Sequence, residues 1–244
     1  MSRLSHLTTI AATGLTAVAL TASMSACSSS SDDAADQGSD QQVSAAADTD
    51  AGSDSTDETE AAAEPTVPDG YTLTEVPGAE LSIAVPSDWT TLTSDTVANT
   101  EFVSALATTL GRTEDETIAM LDSLALYTMD TSGTSDYAEN LNVEIAEGFS
   151  SMPSENDMVA LLENQNNEDA GMVFQPGTYT ETTTASGQDA VVETYTLPID
   201  GGPTTEGTYV VVYANGGDDL ALIAISTDDA ERTQELADVI LGSI

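Results

Sequence analysis

Thr208-Tyr209-Val210-Val211-Val212-Tyr213-Ala214-Asn215-Gly216-Gly217-Asp218-Asp219-Leu220-Ala221-Leu222-Ile223-Ala224-Ile225-Ser226 is the stretch that decides the fold. Two runs, apolar at nearly every position, flank Asn-Gly-Gly-Asp, a sequence that accepts the positive φ values of a tight hairpin turn. Short runs rich in β-branched side chains and bounded by turn residues are strands. Being apolar on both alternating faces, these two must be covered on both sides. The pattern predicts an antiparallel hairpin at the centre of a sheet, with other layers packed on each face.

Working outward, residues 178–184 and 190–197 carry two more strand signals before this hairpin with no helix between, so antiparallel neighbours are expected. Residues 141–146 alternate, with Leu141, Val143 and Ile145 inward and Asn142 and Glu144 outward, and 126–130 is a further strand. Residues 71–76 and 81–85 form a pair joined by Pro77-Gly78, and the second is stopped by Pro86 before Trp89. Helical stripes fall between these strands. Phe102, Val103, Leu106 and Leu110 share one face ahead of Gly111, and Thr113 to Glu116 spells a capping box for a helix with Ile118, Leu121 and Leu124 inward. Ser154 caps a third helix bearing Met158, Leu161 and Leu162, and Asp228 or Asp229 opens a last one with Leu236, Val239 and Ile240 on its inner side. This order predicts one α+β domain over residues 67–244, an antiparallel sheet packed with helices.

Upstream of the domain the composition changes twice. Arg3 precedes an apolar run over 9–20 and small residues at 23–26, the order of a secretory signal peptide covering 1–26. The run is broken by Thr and Gly and falls short of the roughly 18–20 residues of a membrane-spanning helix. Met24-Ser25-Ala26-Cys27 is similar to a bacterial lipobox, although Met24 stands where Leu, Val or Ile is usual. Lipidation would also account for the chain's single cysteine, the alternative being a leader that is merely cleaved. Two acyl chains on Cys27 would give stable attachment where one would be marginal. From 28 to 66 the chain has eleven acidic residues, no basic or aromatic ones, and Val43 as its only branched aliphatic. Such a stretch cannot bury enough apolar surface to offset its ordering entropy, so 27–66 is expected to be the lipidated cysteine and a disordered acidic tether. A calcium loop at 48–54 is the sharper alternative, but its Gly is misplaced and no Glu closes the ligand set.

Charge excludes whole classes of function. Of 43 acidic residues, the eleven in the tether leave 32 in the domain, facing only Arg112 and Arg232. The chain has no Lys, and its one His, His6, lies in the leader. Nothing can form a Ser-His-Asp or Cys-His pair, a Lys Schiff base, a P-loop or a His-ligated zinc site. Nucleic acid is excluded too, because binding it needs cations to neutralise phosphates. No cofactor or metal is expected, and no catalytic residue can be nominated.

Three segments give the domain a resemblance. Residues 81–89, Leu-Ser-Ile-Ala-Val-Pro-Ser-Asp-Trp, are a strand ending in Pro and then Trp; Gly187-Gln188-Asp189-Ala190-Val191-Val192 is a strand after a glycine turn; and Ile240 to Ile244 closes the last helix. Residues 68–244 thereby resemble the actinobacterial LpqN/LpqT-type lipoproteins, whose domain has the Mog1/PsbP-like fold. The resemblance implies an accessory or binding lipoprotein of the cell envelope, with some members linked to mycolate-lipid export. It supplies no catalytic residues, and the absence of Lys sets this chain apart from any member with an anionic partner.

The candidate sites follow from what remains. Trp89, Phe102, Leu106, Met158, Leu162, Tyr209 and Tyr213 could open a cleft between sheet and helices for an acyl chain, or could simply fill the core. Met120, Met152 and Met172 pose the same choice with Met158, and Trp89 could be a rim anchor. Asp130-Thr131-Ser132-Gly133 is similar to an aspartic-protease turn, but only one copy is present. The two arginines are expected to pair with neighbours such as Glu114 and Glu231. The expected function is therefore binding or accessory work on the outer face of the bacterial cytoplasmic membrane, with an envelope lipid or a membrane protein as partner. The alternative is a carboxylate-dependent envelope hydrolase.

Overall fold

The computed structural model describes residues 64–92, 102–104, 107, 113–132, 137–149, 151–167, 171–199 and 202–244. The leader, Cys27, the proposed calcium loop, Leu106, Leu110, Gly111, Arg112 and Gly133 lie outside them, as does the tether up to residue 63.

The elements run β1 (Tyr71–Glu75), β2 (Ser82–Pro86), β3 (Thr90–Thr91), α1 (Glu114–Ser123), β4 (Leu126–Met129), β5 (Asn140–Glu147), α2 (Glu155–Asn164), β6 (Gln175–Thr183), β7 (Asp189–Leu197), β8 (Thr205–Ala214), β9 (Asp219–Thr227) and α3 (Ala230–Ser243). Phe102 to Ser104 and Ala107 are helical, within the stretch where the sequence predicts a helix. Among the described residues, seven strands form one antiparallel sheet in the order β3-β4-β5-β9-β8-β7-β6, and β1 and β2 pair separately. The α+β class and the antiparallel sheet are as the sequence predicts. The decisive hairpin is central: β8 and β9 each have a paired strand on both sides. Its turn is carried by Asn215, Gly216 and Gly217, all at positive φ, which Asn and Gly adopt at little cost.

Caps end the helices where the sequence places them. Thr113 and Ser154 form capping boxes with Glu116 and Asp157, and Asp229 accepts from the Arg232 N–H. The last carbonyls of α3 have no basic side chain near them and are met instead by backbone donors. Thr66 donates to Gly242, Ala185 to Leu241 and Ser186 to Ile244, at 2.8, 2.9 and 3.1 Å. Ser243 adds a buried clasp, its Oγ accepting from the Ala84 N–H at 2.9 Å and donating to the Ile240 carbonyl at 2.8 Å.

Alternation sorts the core into two faces. The first carries Leu141, Val143, Val210, Val212, Ile223 and Ile225 under α3 and the β1–β2 pair. The second carries Val191, Tyr195, Tyr209, Val211 and Leu222 under α2, and its β4 end packs Tyr127 and Met129 against Met120 and Leu121 of α1. Three expectations need correction. Asn142, read as outward, is buried, because the β5 face away from Leu141 is also covered. On α1 the buried positions are Thr117, Met120 and Leu121, while Ile118 is half-buried. Val239 is also only half-buried, because Leu236, Ala237 and Ile240 take the inner stripe of α3.

Candidate functional site

The register of the sheet arranges polar residues in a line on the second face. Tyr179, Glu193, Tyr209, Ala224, Asn142 and Tyr127 lie opposite one another in turn across six strands. Beside this row, Tyr195, Gly207, Ser226, Asn140 and Met129 form a second. The Tyr195 ring lies on Gly207, where a Cβ would fall inside the ring, and its hydroxyl meets Ser226 Oγ at 3.2 Å. Tyr137 donates to Thr205 Oγ1 at 3.2 Å, and Gln165, just past the end of α2, donates to the Tyr209 hydroxyl at 3.1 Å. These bonds satisfy the tyrosine hydroxyls on the β7–β8 side of the face, where Glu193 Oε2 is left without a partner among the described residues. The β4–β5 side differs: Tyr127 Oη, Asn140 Oδ1, Asn142 Nδ2 and Glu144 Oε2 are buried without a hydrogen-bond partner among the described residues.

The carboxyls of this face feel the same lack. Burial alone pushes Glu144 up to about 7 from 4.5. Glu193, whose Oε2 also lacks a partner among the described residues, is raised by burial and then by Glu155 of α2. Tyr127 is raised well above the ordinary phenol range, by burial and then by Tyr137, so it remains a hydrogen-bond donor. Lowered carboxyls occur elsewhere, as structural caps: Asp157 by Ser154, and Asp219 by Asn215 and the Gly148 N–H. Among the described residues no group of three or more His, Cys, Asp or Glu side chains is placed to hold a metal ion.

The seven cleft candidates are distributed over the molecule. Met158, Leu162 and Tyr209 come together on the second face, each no more than 1% exposed, with Tyr213 half-buried at the margin of the same cluster. Trp89 packs at the rim of the first-face core, and Phe102 against Met120, Leu121, Tyr127 and Met129. Leu106 is outside the described residues. The methionines divide in the same way, Met120 with α1 and Met152, Met158 and Met172 with the second-face cluster. Asp130 closes a local turn, its two oxygens accepting from the Ser132 N–H and Oγ at 2.7 and 3.0 Å.

A groove of about 670 Å³ runs along the outer side of α3. Pro68, Val239 and Gly242 contribute its apolar lining, and Glu231, Glu235 and Asp238 its acidic one. The helix period puts 231, 235, 238 and 242 on one stripe, so the groove is written into α3 itself. Thr66 and Pro68 form the opposite wall, held there by the bond from Thr66 to Gly242. Beside the groove, Arg232 pairs with Glu139 at 3.3 Å and with Glu235 at 2.9 Å, and donates to the Tyr71 hydroxyl at 3.1 Å. The expected pairing with Glu231 is absent because Glu231 turns into the groove. Burial raises Glu139, partly offset by Arg232, while bonds to Glu235 and Tyr71 outweigh burial and keep Arg232 charged.

No family model matches the sequence, and no curated protein matches it. Among solved structures, the solution structure of cyanobacterial PsbP (CyanoP) from Synechocystis sp. PCC 6803 is similar at 13% identity and a TM-score of 0.42, covering 75% of this chain and 91% of that one. The crystal structure of the Saccharomyces cerevisiae Ran-binding protein Mog1p is similar at 12% identity and a TM-score of 0.38, covering 71% and 86%.

Proposed function

We propose that this chain is a lipid-anchored envelope protein of the LpqN/LpqT type that acts by binding, with Cys27 as its anchor, residues 28–66 as its spacer, and a basic segment of a membrane-associated protein as its partner. The observation that carries this reading is the α3 groove, an apolar floor edged by Glu231, Glu235 and Asp238 in a domain with 32 acidic residues and two arginines. Such a field attracts cationic partners and repels anionic lipid headgroups. The groove also adjoins residues 66–68, where the spacer joins the domain. The acyl-chain alternative is less well supported, because Met158, Leu162 and Tyr209 are already consumed in the core. A carboxylate hydrolase would draw on carboxyls whose proton affinity the fold perturbs, and the two that burial raises on the second face, Glu144 and Glu193, would have to share a cleft. Glu144 and Glu193 lie three strand steps apart, about 14 Å at 4.8 Å per step, beyond the roughly 5–9.5 Å over which such pairs work.

Two measurements test the reading together. Cys27→Ala should move the protein from the membrane fraction to the medium, and retention in the membrane would refute the anchor. A short peptide of alternating Lys and Leu, titrated into the detergent-solubilised full-length protein, should bind saturably, and Glu231→Lys with Asp238→Lys should weaken it at least tenfold. Glu155→Lys with Glu163→Lys makes the same charge change on exposed positions of α2. Equal weakening by that pair would show that overall charge, not the groove, holds the peptide.

A further inference from the structure

The β4–β5 end of the second face holds an unsolved hydrogen-bond problem. Leaving a buried polar atom without a partner costs about 1–3 kcal/mol, and folded proteins rarely leave several together on one surface. Here four belong to two adjacent strands and point to one side. Asn140, Asn142 and Glu144 alternate along β5, with Tyr127 opposite Asn142. The floor beside them is shallow: the β9 neighbours of Asn142 and Asn140 are Ala224 and Ser226. Asn142 is only 4% exposed, whereas Glu144 is half-buried and marks the way in from solvent.

The chemistry of the four atoms defines what would satisfy them. Asn142 Nδ2 and the protonated Tyr127 phenol are donors. Asn140 already spends its Nδ2 on the Ala138 carbonyl at 3.1 Å, so its free atom is an acceptor. Glu144 is a carboxyl that no cation approaches among the described residues: Leu222 is its β9 neighbour, and Arg232 is committed to Glu139, Glu235 and Tyr71. From Glu144 inward the order is therefore anion, then two donors, then an acceptor. A hydroxyl group has the complementary bonding capacity: it can accept from Asn142 and Tyr127 and donate to Asn140. An ammonium fits the carboxylate. Glu144 lies two residues from Asn142, about 7 Å along the strand, which sets the two groups a few bonds apart.

We infer that this face is a binding site for a small aminoalcohol, its ammonium on Glu144 and its hydroxyl between Asn142, Tyr127 and Asn140. The site is separate from the α3 groove, which lies on the other side of the sheet, so either proposal can fail alone.

Titration calorimetry of the solubilised full-length protein with ethanolamine and 3-aminopropan-1-ol tests this. Saturable binding of at least one is expected at pH 8, weakening about tenfold at pH 6 as Glu144 takes up a proton. Ethylene glycol and ethylamine, which each lack one of the two groups, should bind at least tenfold more weakly. Glu144→Gln should abolish binding, and Glu163→Gln, on exposed α2 surface, should leave it intact. Should Glu144→Gln fail to fold, carbon NMR of Glu144 in the unmutated protein gives the same answer, since bound aminoalcohol must lower its titration midpoint by at least one pH unit. No saturable heat, an unmoved Glu144 midpoint, or ethylene glycol binding as tightly as ethanolamine would overturn the proposal. Equal binding of ethylamine would overturn the assigned hydroxyl contacts.

Discussion

Replacing Glu144 by Gln should make the protein progressively more stable, relative to the unmutated chain, as pH rises from 5 to 8. In the fold the carboxyl titrates near 7, raised by burial, against 4.5 when unfolded. Between those values the folded state holds more protons than the unfolded state. The contribution of Glu144 to stability is therefore greatest below pH 4.5 and falls as pH rises through 7. At about 1.4 kcal/mol per pH unit, the loss between pH 5 and pH 8 comes to roughly 2.5 kcal/mol, or about 2 after allowance for the solvent-open part of the side chain. Gln keeps the shape and cannot ionise. Urea denaturation from pH 5 to pH 8, without added ligand, should show the variant's advantage growing by about 2 kcal/mol over that range. Asp157 and Asp219 do not confuse the comparison, since their lowered values confine their contribution to more acid conditions. Parallel pH profiles for the two proteins would refute the reasoning, because Glu144 would then have to find a partner or solvent in the fold.

Gly207→Ala should destabilise by on the order of 3 kcal/mol in urea melts, because its Cβ has no place to go but the Tyr195 ring; a change below 0.5 kcal/mol would mean the ring is free to move. Ser243→Ala should cost about 1–3 kcal/mol by stranding the buried Ala84 N–H, with faster hydrogen exchange at that amide; an unchanged exchange rate would show that another acceptor replaces the hydroxyl. Raising salt to roughly 0.5–1 M should lift the melting temperature by a few degrees as 32 acidic side chains are screened from one another; a melting temperature indifferent to salt would show that they are spaced too widely to repel.

The framework of the domain was legible because it rests on local rules. Period-two alternation located the strands, both capping boxes were spelled out in the chain, and the apolar runs around Asn215 identified the central hairpin. The site was harder to read for a physical reason. A residue's place on a strand gives its face but not what covers that face, so Asn142 and Glu144 looked like the solvent side of β5 and became part of a buried polar seam. The signal was present as two polar residues flanking Val143 in a strand that pairs with the most apolar segment of the chain. The same limitation scattered the seven cleft candidates. Apolar side chains on sheet and helices were assumed to face one space, whereas the sheet has two faces and the helices divide between them. Arg232 took Glu139 and Glu235 in place of Glu231 because residues one apart on a helix do not face each other.

The position of β9 between β5 and β8 has a consequence for how the protein is made. This central strand is synthesised after every other strand of the sheet, so until it emerges β5 is without the strand that will flank it on one side. Long-range pairing of that kind is slow to form. The chain therefore cannot complete its seven-stranded sheet until β9 has emerged. Its dense negative charge would keep neighbouring unfinished chains from annealing along their open edges.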